Sequence, residues 1–228
     1  MLYIIVFLLI IVVYLLYRGY TYSKEEPFTA NSKERSVVLL GDSTFKNNNY
    51  VKQVNSIEQV LRREGSANIY CLAKDGATIA DVYKQIGEVP TTLNNKQNVI
   101  FLSVGGNDIL NNKNKNKNKN KNMNMNMNIL FEEYERLLVD LTAKFDKCKI
   151  VLCNLYTPPN INKIRKDDTL TDKIKQWNNA LNTYLYKTNN IELIDLNSLL
   201  YEPTDFVSGY EPSELGGHKI VTAIINKL

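Results

Sequence analysis

The sequence predicts an α/β fold: a five-stranded parallel sheet covered by helices on both faces. Short apolar runs alternate with helix-period segments from Ser36 onward, and such alternation builds parallel sheets through helical crossovers. The runs are apolar along their length, as strands buried on both faces must be. The composition, 44% hydrophobic and 23% charged over 228 residues, is globular and excludes wholesale disorder. With 10 Gly, 6 Pro and 3 Cys, the chain is neither collagen-like nor a disulfide scaffold.

The elements follow in chain order. Residues 2–17, LYIIVFLLIIVVYLLY, carry no charge. At about 1.5 Å per residue they reach about 24 Å, and the flanking residues bring the segment close to the ~30 Å of a bilayer core. Tyr3, Tyr17 and Tyr20 suit the two interfaces. A cleaved signal peptide would need a basic start and small residues at the cut, and neither is present. Residues 1–20 are therefore expected to be a transmembrane anchor, 21–35 a linker, and 36–228 the folded domain. Arg18 and Lys24 follow the segment and no basic residue precedes it, which predicts that the domain lies on the cytoplasmic side.

Within the domain the expected strands are Ser36–Leu40, Asn68–Leu72, Val99–Val104, Ile150–Leu155 and Ile191–Leu196. The expected helices are Val51–Arg63, Thr78–Ile86, Ile129–Phe145, Leu170–Lys187 and a last one from about Ser213 to Lys227. In the third, Leu130, Tyr134, Leu137, Leu138 and Leu141 share one helical face. Residues 111–128 read NNKNKNKNKNKNMNMNMN. Alternating Asn and Lys cannot build a packed core, so a disordered surface insertion is expected there, of a kind surface loops tolerate at little cost.

The net charge of +4 owes much to the five lysines of that tract, and the remainder is nearly neutral. No basic face for nucleic acid is implied. Cys71, Cys148 and Cys153 have no metal-site spacing, and Cys71 and Cys153 read as buried hydrophobes in strands. A single His excludes a His-based zinc site. No metal and no cofactor are expected.

Ligands of an open parallel sheet bind at the carboxyl ends of its strands. The first strand end carries Gly41-Asp42-Ser43-Thr44, where a Ser after a tight turn can be exposed as a nucleophile. The second carries Asp75-Gly76, whose glycine N–H can face an oxyanion, and the third Gly105-Gly106-Asn107-Asp108, whose Asn amide can do the same. Each alone reads equally as a turn or a helix cap. Together they supply a nucleophile and the donors of one oxyanion hole.

This order and spacing resembles the SGNH (GDSL-type) hydrolase superfamily over most of residues 36–228, and Phe101 to Asp108 is the most specific block. The resemblance implies a flavodoxin-like three-layer α/β/α sandwich. It makes Ser43 the nucleophile, with its own N–H, the Gly76 N–H and the Asn107 side chain as oxyanion hole. The last block departs from the family's Asp-x-x-His. Pro212 and Gly216-Gly217 fix the register and place Glu211 at the His position and Ser208 at the Asp position. The chain resembles a branch in which this block reads Glu-Pro-Ser. His218 lies seven residues past Glu211, and two helical turns carry it about 10 Å away, too far to serve Ser43.

A Glu is a weak base at its ordinary pKa, and burial raises it toward a useful value. Asp205 is expected to share a proton with Glu211 or to orient it. Two functions remain. One is a membrane-anchored ester hydrolase that acts on a small-molecule, lipid or sugar ester through a Ser43 acyl-enzyme. The other is a catalytically degenerate binding or scaffold module on the same fold.

Overall fold

The computed structural model of the protein describes residues 35–115, 127–188 and 190–228. The expected anchor, the linker up to residue 34 and residues 116–126 of the Asn/Lys/Met tract lie outside them. Among the described residues no helix is long and apolar enough to cross a membrane.

Five strands, β1 (Ser36–Gly41), β2 (Asn68–Cys71), β3 (Val99–Ser103), β4 (Lys149–Cys153) and β5 (Ile191–Ile194), pair in parallel in the order β2-β1-β3-β4-β5. All five coincide with the predicted runs to within a residue or two, with β1 reaching one residue further, to Gly41, and β4 starting one earlier, at Lys149. Val104, Leu155 and Leu196 fall past the strand ends and are buried there, the first two in loops and Leu196 at the start of a short helix. Cys71 is a correction: β2 is an edge strand, and its cysteine is half-buried.

The helices are α1 (Ile57–Glu64), α2 (Ile79–Glu88), α3 (Gly106–Lys115), α4 (Met127–Lys144), α5 (Ile161–Arg165), α6 (Leu170–Lys187), α7 (Leu196–Leu199) and α8 (Glu214–Ile225). Side chains alternate across a strand, so the inner strands β1, β3 and β4 each feed two cores. Val38, Leu40, Ile100, Leu102, Ile150 and Leu152 meet α2, α4 and α6 on one face. Val37, Leu39, Val99, Phe101, Val151 and Cys153 meet α1 and α8 on the other. The leucine face of α4 is buried as predicted, each such side chain contributing about 1.5–3 kcal/mol. The result is a three-layer sandwich.

Two boundaries differ from expectation. A 3-10 turn at Gln53–Asn55 replaces the start of the expected 51–63 helix, and α1 begins at Ile57, whose N–H bonds Asn47 Oδ1 at 2.9 Å. Residues 111–115 and 127–128, assigned to the disordered insertion, are helical ends of α3 and α4. Buried Ile109 anchors the first turns of α3, and a nucleated helix extends through Asn and Lys at small cost. A two-stranded antiparallel hairpin, β6 (Phe206–Val207) with β7 (Glu211–Pro212), precedes α8.

Candidate active site

From neighbouring β1 and β3 the chain crosses to opposite sides of the sheet, to β2 and to β4. That divergence opens a crevice at their carboxyl ends. Gly41 closes β1 against β3 so tightly that a Cβ there would lie 1.8 Å from Ser103 O, and its φ is +127°. Only glycine fits. The buried Gln85 side chain holds both polar groups of Gly41, accepting from its N–H at 2.7 Å and donating to its carbonyl at 2.9 Å. The chain then turns, with Phe45 and Lys46 N–H groups bonded to Asp42 O at 3.2 and 3.1 Å. Ser43, 7% exposed, sits on this turn.

Ser43 lines a pocket of about 80 Å³. Asp42, Thr44, Asn107 and Glu211 complete its polar end, and Ile109, Leu155, Pro158, Ile161, Leu170 and Ile174 form an apolar wall. The sequence reading missed that wall, because α3 and α5 stand where turns and loop were expected. Its signal was the pair Ile109-Leu110 directly after the Gly-Gly-Asn-Asp block.

The oxyanion-hole candidates are arranged unequally. Asn107, at the start of α3, donates one Nδ2 hydrogen to Ala77 O at 3.1 Å. A carboxamide nitrogen has two hydrogens, so the second stays available. Gly76 is exposed at φ +74°, one residue before Ala77, and is not part of the pocket lining. Its N–H has no hydrogen-bond partner among the described residues.

Glu211 on β7 is 6% exposed. Asn47 draws this segment to the serine loop: its Nδ2 donates to Pro212 O at 3.3 Å while its Oδ1 holds the start of α1. Burial pushes the Glu211 pKa up to about 7, and Asp42 and Asp75 add to the rise; the Ser43 hydroxyl, as a hydrogen-bond partner, and Arg165 oppose it. Oε2 is buried with no hydrogen-bond partner among the described residues. The carboxyl thus faces the serine in a poorly solvated place and exchanges its proton near neutrality.

The structure does not bring Asp205 to this pocket. Its buried carboxylate pairs with Lys219 Nζ at 2.7 Å and accepts the Tyr201 and Glu202 N–H groups at 3.1 and 3.0 Å. Those partners occupy it as a structural ion, so the expected proton sharing with Glu211 does not fit its place. Ser208 lies exposed in the hairpin turn at φ +53°. His218 is exposed on α8 with its Nε2 3.8 Å from Glu64.

Two further carboxyls emerge near the serine. Burial raises Asp42 to about 6, against hydrogen bonds from Thr44 that lower it, and Asp108 adds to the rise. Burial also raises Asp108 to about 6, although it accepts the Ile79 N–H at 3.2 Å. Both stand in the blocks read for Ser43 and Asn107, where each looks like an ordinary turn residue.

The GDSL-like lipase/acylhydrolase family model matches residues 39–216. The chain belongs to this family. No curated protein matches it in sequence. Among solved structures, a lipolytic protein of the G-D-S-L family from Veillonella parvula has a TM-score of 0.63 at 17% identity, covering 84% of this chain and 97% of that one. A GDSL-like lipase from Bacteroides thetaiotaomicron scores 0.59 at 17% identity, covering 94% and 95%. The lipase/acylhydrolase from Enterococcus faecalis scores 0.56 at 17% identity, covering 85% and 94%. These similarities establish the GDSL fold, and the family match places the chain among the SGNH hydrolases.

Proposed function

We propose that the protein is an ester hydrolase in which Ser43 is the nucleophile and Glu211 the general base. The observation that carries this is the pocket's polar end, where a buried Glu211, without an ion-pair partner among the described residues, faces the Ser43 hydroxyl. In the first step Ser43 Oγ bonds to the acyl carbon as its proton passes to Glu211. The carbonyl oxygen becomes an oxyanion that the Asn107 side chain and the Ser43 and Gly76 N–H groups stabilise. Glu211 then returns the proton to the departing alkoxide, leaving an acyl-enzyme and an alcohol. Water attacks next, gives a proton to Glu211, and releases the carboxylic acid as Ser43 recovers its own.

The apolar wall supports an acyl group of a few carbons as the part held inside, with the alcohol half toward the Glu211 side. We also propose that residues 1–20 anchor the chain in a membrane with the domain on the cytoplasmic side. The apolar segment and the basic residues after it support this.

The test is labelling of the full chain by a fluorophosphonate probe, followed by turnover of short-chain esters. Labelling that Ser43→Ala abolishes supports the nucleophile. A folded wild-type chain that never labels instead supports the binding-module alternative.

A further inference from the structure

Asp75 immediately precedes Gly76, and its carboxylate is held by the loop that carries Ser43. Tyr50 Oη donates to it, lying 3.0 Å from both oxygens, and Asn49 Nδ2 donates to Oδ2 at 3.0 Å. On the other side of Gly76, the Ala77 carbonyl accepts from the Asn107 amide at 3.1 Å, and the Ala77 N–H closes a turn on Lys74 O at 3.1 Å. Gly76 itself has little to hold it. It is exposed, and a Cβ placed on it would meet nothing within 4 Å. Its N–H direction therefore depends on what grips its two neighbours. One grip comes from the Asn107 that is itself an oxyanion-hole candidate, the other from Tyr50 and Asn49.

We propose that Tyr50 and Asp75 are positioning residues, whose hydrogen bond fixes the Gly76 loop to the serine loop and aims the Gly76 N–H at the developing oxyanion. The inference rests on Ser43 being the nucleophile. A donor that must meet an oxyanion is worth about 10²–10³-fold in kcat when removed outright. Loosening it forfeits a fraction of that. The clamp is near the surface, so its loss leaves the fold intact.

Steady-state turnover of p-nitrophenyl acetate by the full chain tests this, beside fluorophosphonate labelling. Tyr50→Phe keeps the ring and removes the donor. It is expected to lower kcat about 5- to 50-fold with KM within about twofold and the thermal midpoint unchanged. Asp75→Ala, which also releases Asn49, should lose at least as much, and the double variant should lose no more than Asp75→Ala alone, since Tyr50 then has no partner left to lose. Asp75→Asn keeps an acceptor for Tyr50 and should hold kcat within about threefold of wild type. Full kcat in Tyr50→Phe, a loss confined to KM, or additive losses in the double variant would each overturn the clamp while leaving the nucleophile in place. A wild-type chain that neither labels nor turns over the ester removes the nucleophile itself, and the clamp falls with it.

Discussion

Asp205 and Glu211 stand six residues apart, one just before the hairpin and the other on its second strand, both buried, with opposite surroundings. Asp205 has a lysine ammonium at 2.7 Å and two backbone N–H donors. Glu211 has no ion-pair partner among the described residues, and one of its oxygens has no hydrogen-bond partner. Arg165, the cation near enough to oppose its pKa rise, spends a hydrogen bond on Tyr210 Oη at 3.2 Å instead. Burial costs a carboxylate dearly unless partners stabilise its charge. Where they do, the group is a fixed strut. Where they do not, it becomes a proton acceptor poised near neutral pH.

The contrast predicts opposite phenotypes. The largest effect is expected for Glu211→Gln, which removes the proposed base: ester turnover should fall by about 10²–10⁴-fold with the fold retained. Steady-state kinetics check this, and a loss under tenfold would leave Glu211 without a base role. Asp205→Ala should do the reverse. It leaves Lys219 and two N–H groups without their acceptor, so urea denaturation should show a loss of about 2–4 kcal/mol. The folded fraction should turn over ester at close to the wild-type rate. If activity collapses while stability holds, Asp205 belongs to the site after all.

A smaller effect concerns stability against pH. The Glu211 pKa is raised in the fold, so its contribution is fully present below about pH 4 and is lost as pH rises through about 7. Above that the native chain must hold a desolvated charge. Glu211→Gln avoids this and should gain on the order of 2 kcal/mol over wild type at pH 8, with little gain at pH 4. Thermal midpoints at the two pH values measure it, and an equal difference at both would refute the cause assigned to the shift. The smallest effect is His218→Ala. Its imidazole is exposed and only 3.8 Å from an exposed glutamate, so activity and pH profile should be unchanged and stability should move by less than about 0.5 kcal/mol.

Legibility in the sequence followed burial. The edge strands β2 and β5 are only partly buried and mix polar with apolar residues, whereas the inner strands β1, β3 and β4 can be read because both their faces are covered, which forces continuous apolar runs. The leucine face of α4 can be read for the same reason. Ser43 and Asn107 come to line one pocket because strand ends place them at one edge of the sheet, whereas Gly76, at the next strand end, stands exposed outside that lining. Asp205 cannot: a buried carboxylate looks the same in sequence whether a lysine 14 residues later neutralises it or not. The raised Asp42 and Asp108 depend first on desolvation and then on carboxylates brought near by the fold, Asp108 for Asp42 and Glu133 and Asp81 for Asp108, and desolvation has no local pattern. The apolar wall is hidden because α3 and α5 start where Gly, Asn and Pro signal turns.

The most direct measurement is the rate of fluorophosphonate labelling of Ser43 from pH 5 to 9, in wild type, Glu211→Gln and His218→Ala. A Glu base predicts a wild-type rate that rises with a midpoint near 7. It also predicts the same profile in His218→Ala and a slow, flat one in Glu211→Gln. A profile that survives in Glu211→Gln, or vanishes in His218→Ala, would contradict the assignment of Glu211 as the base.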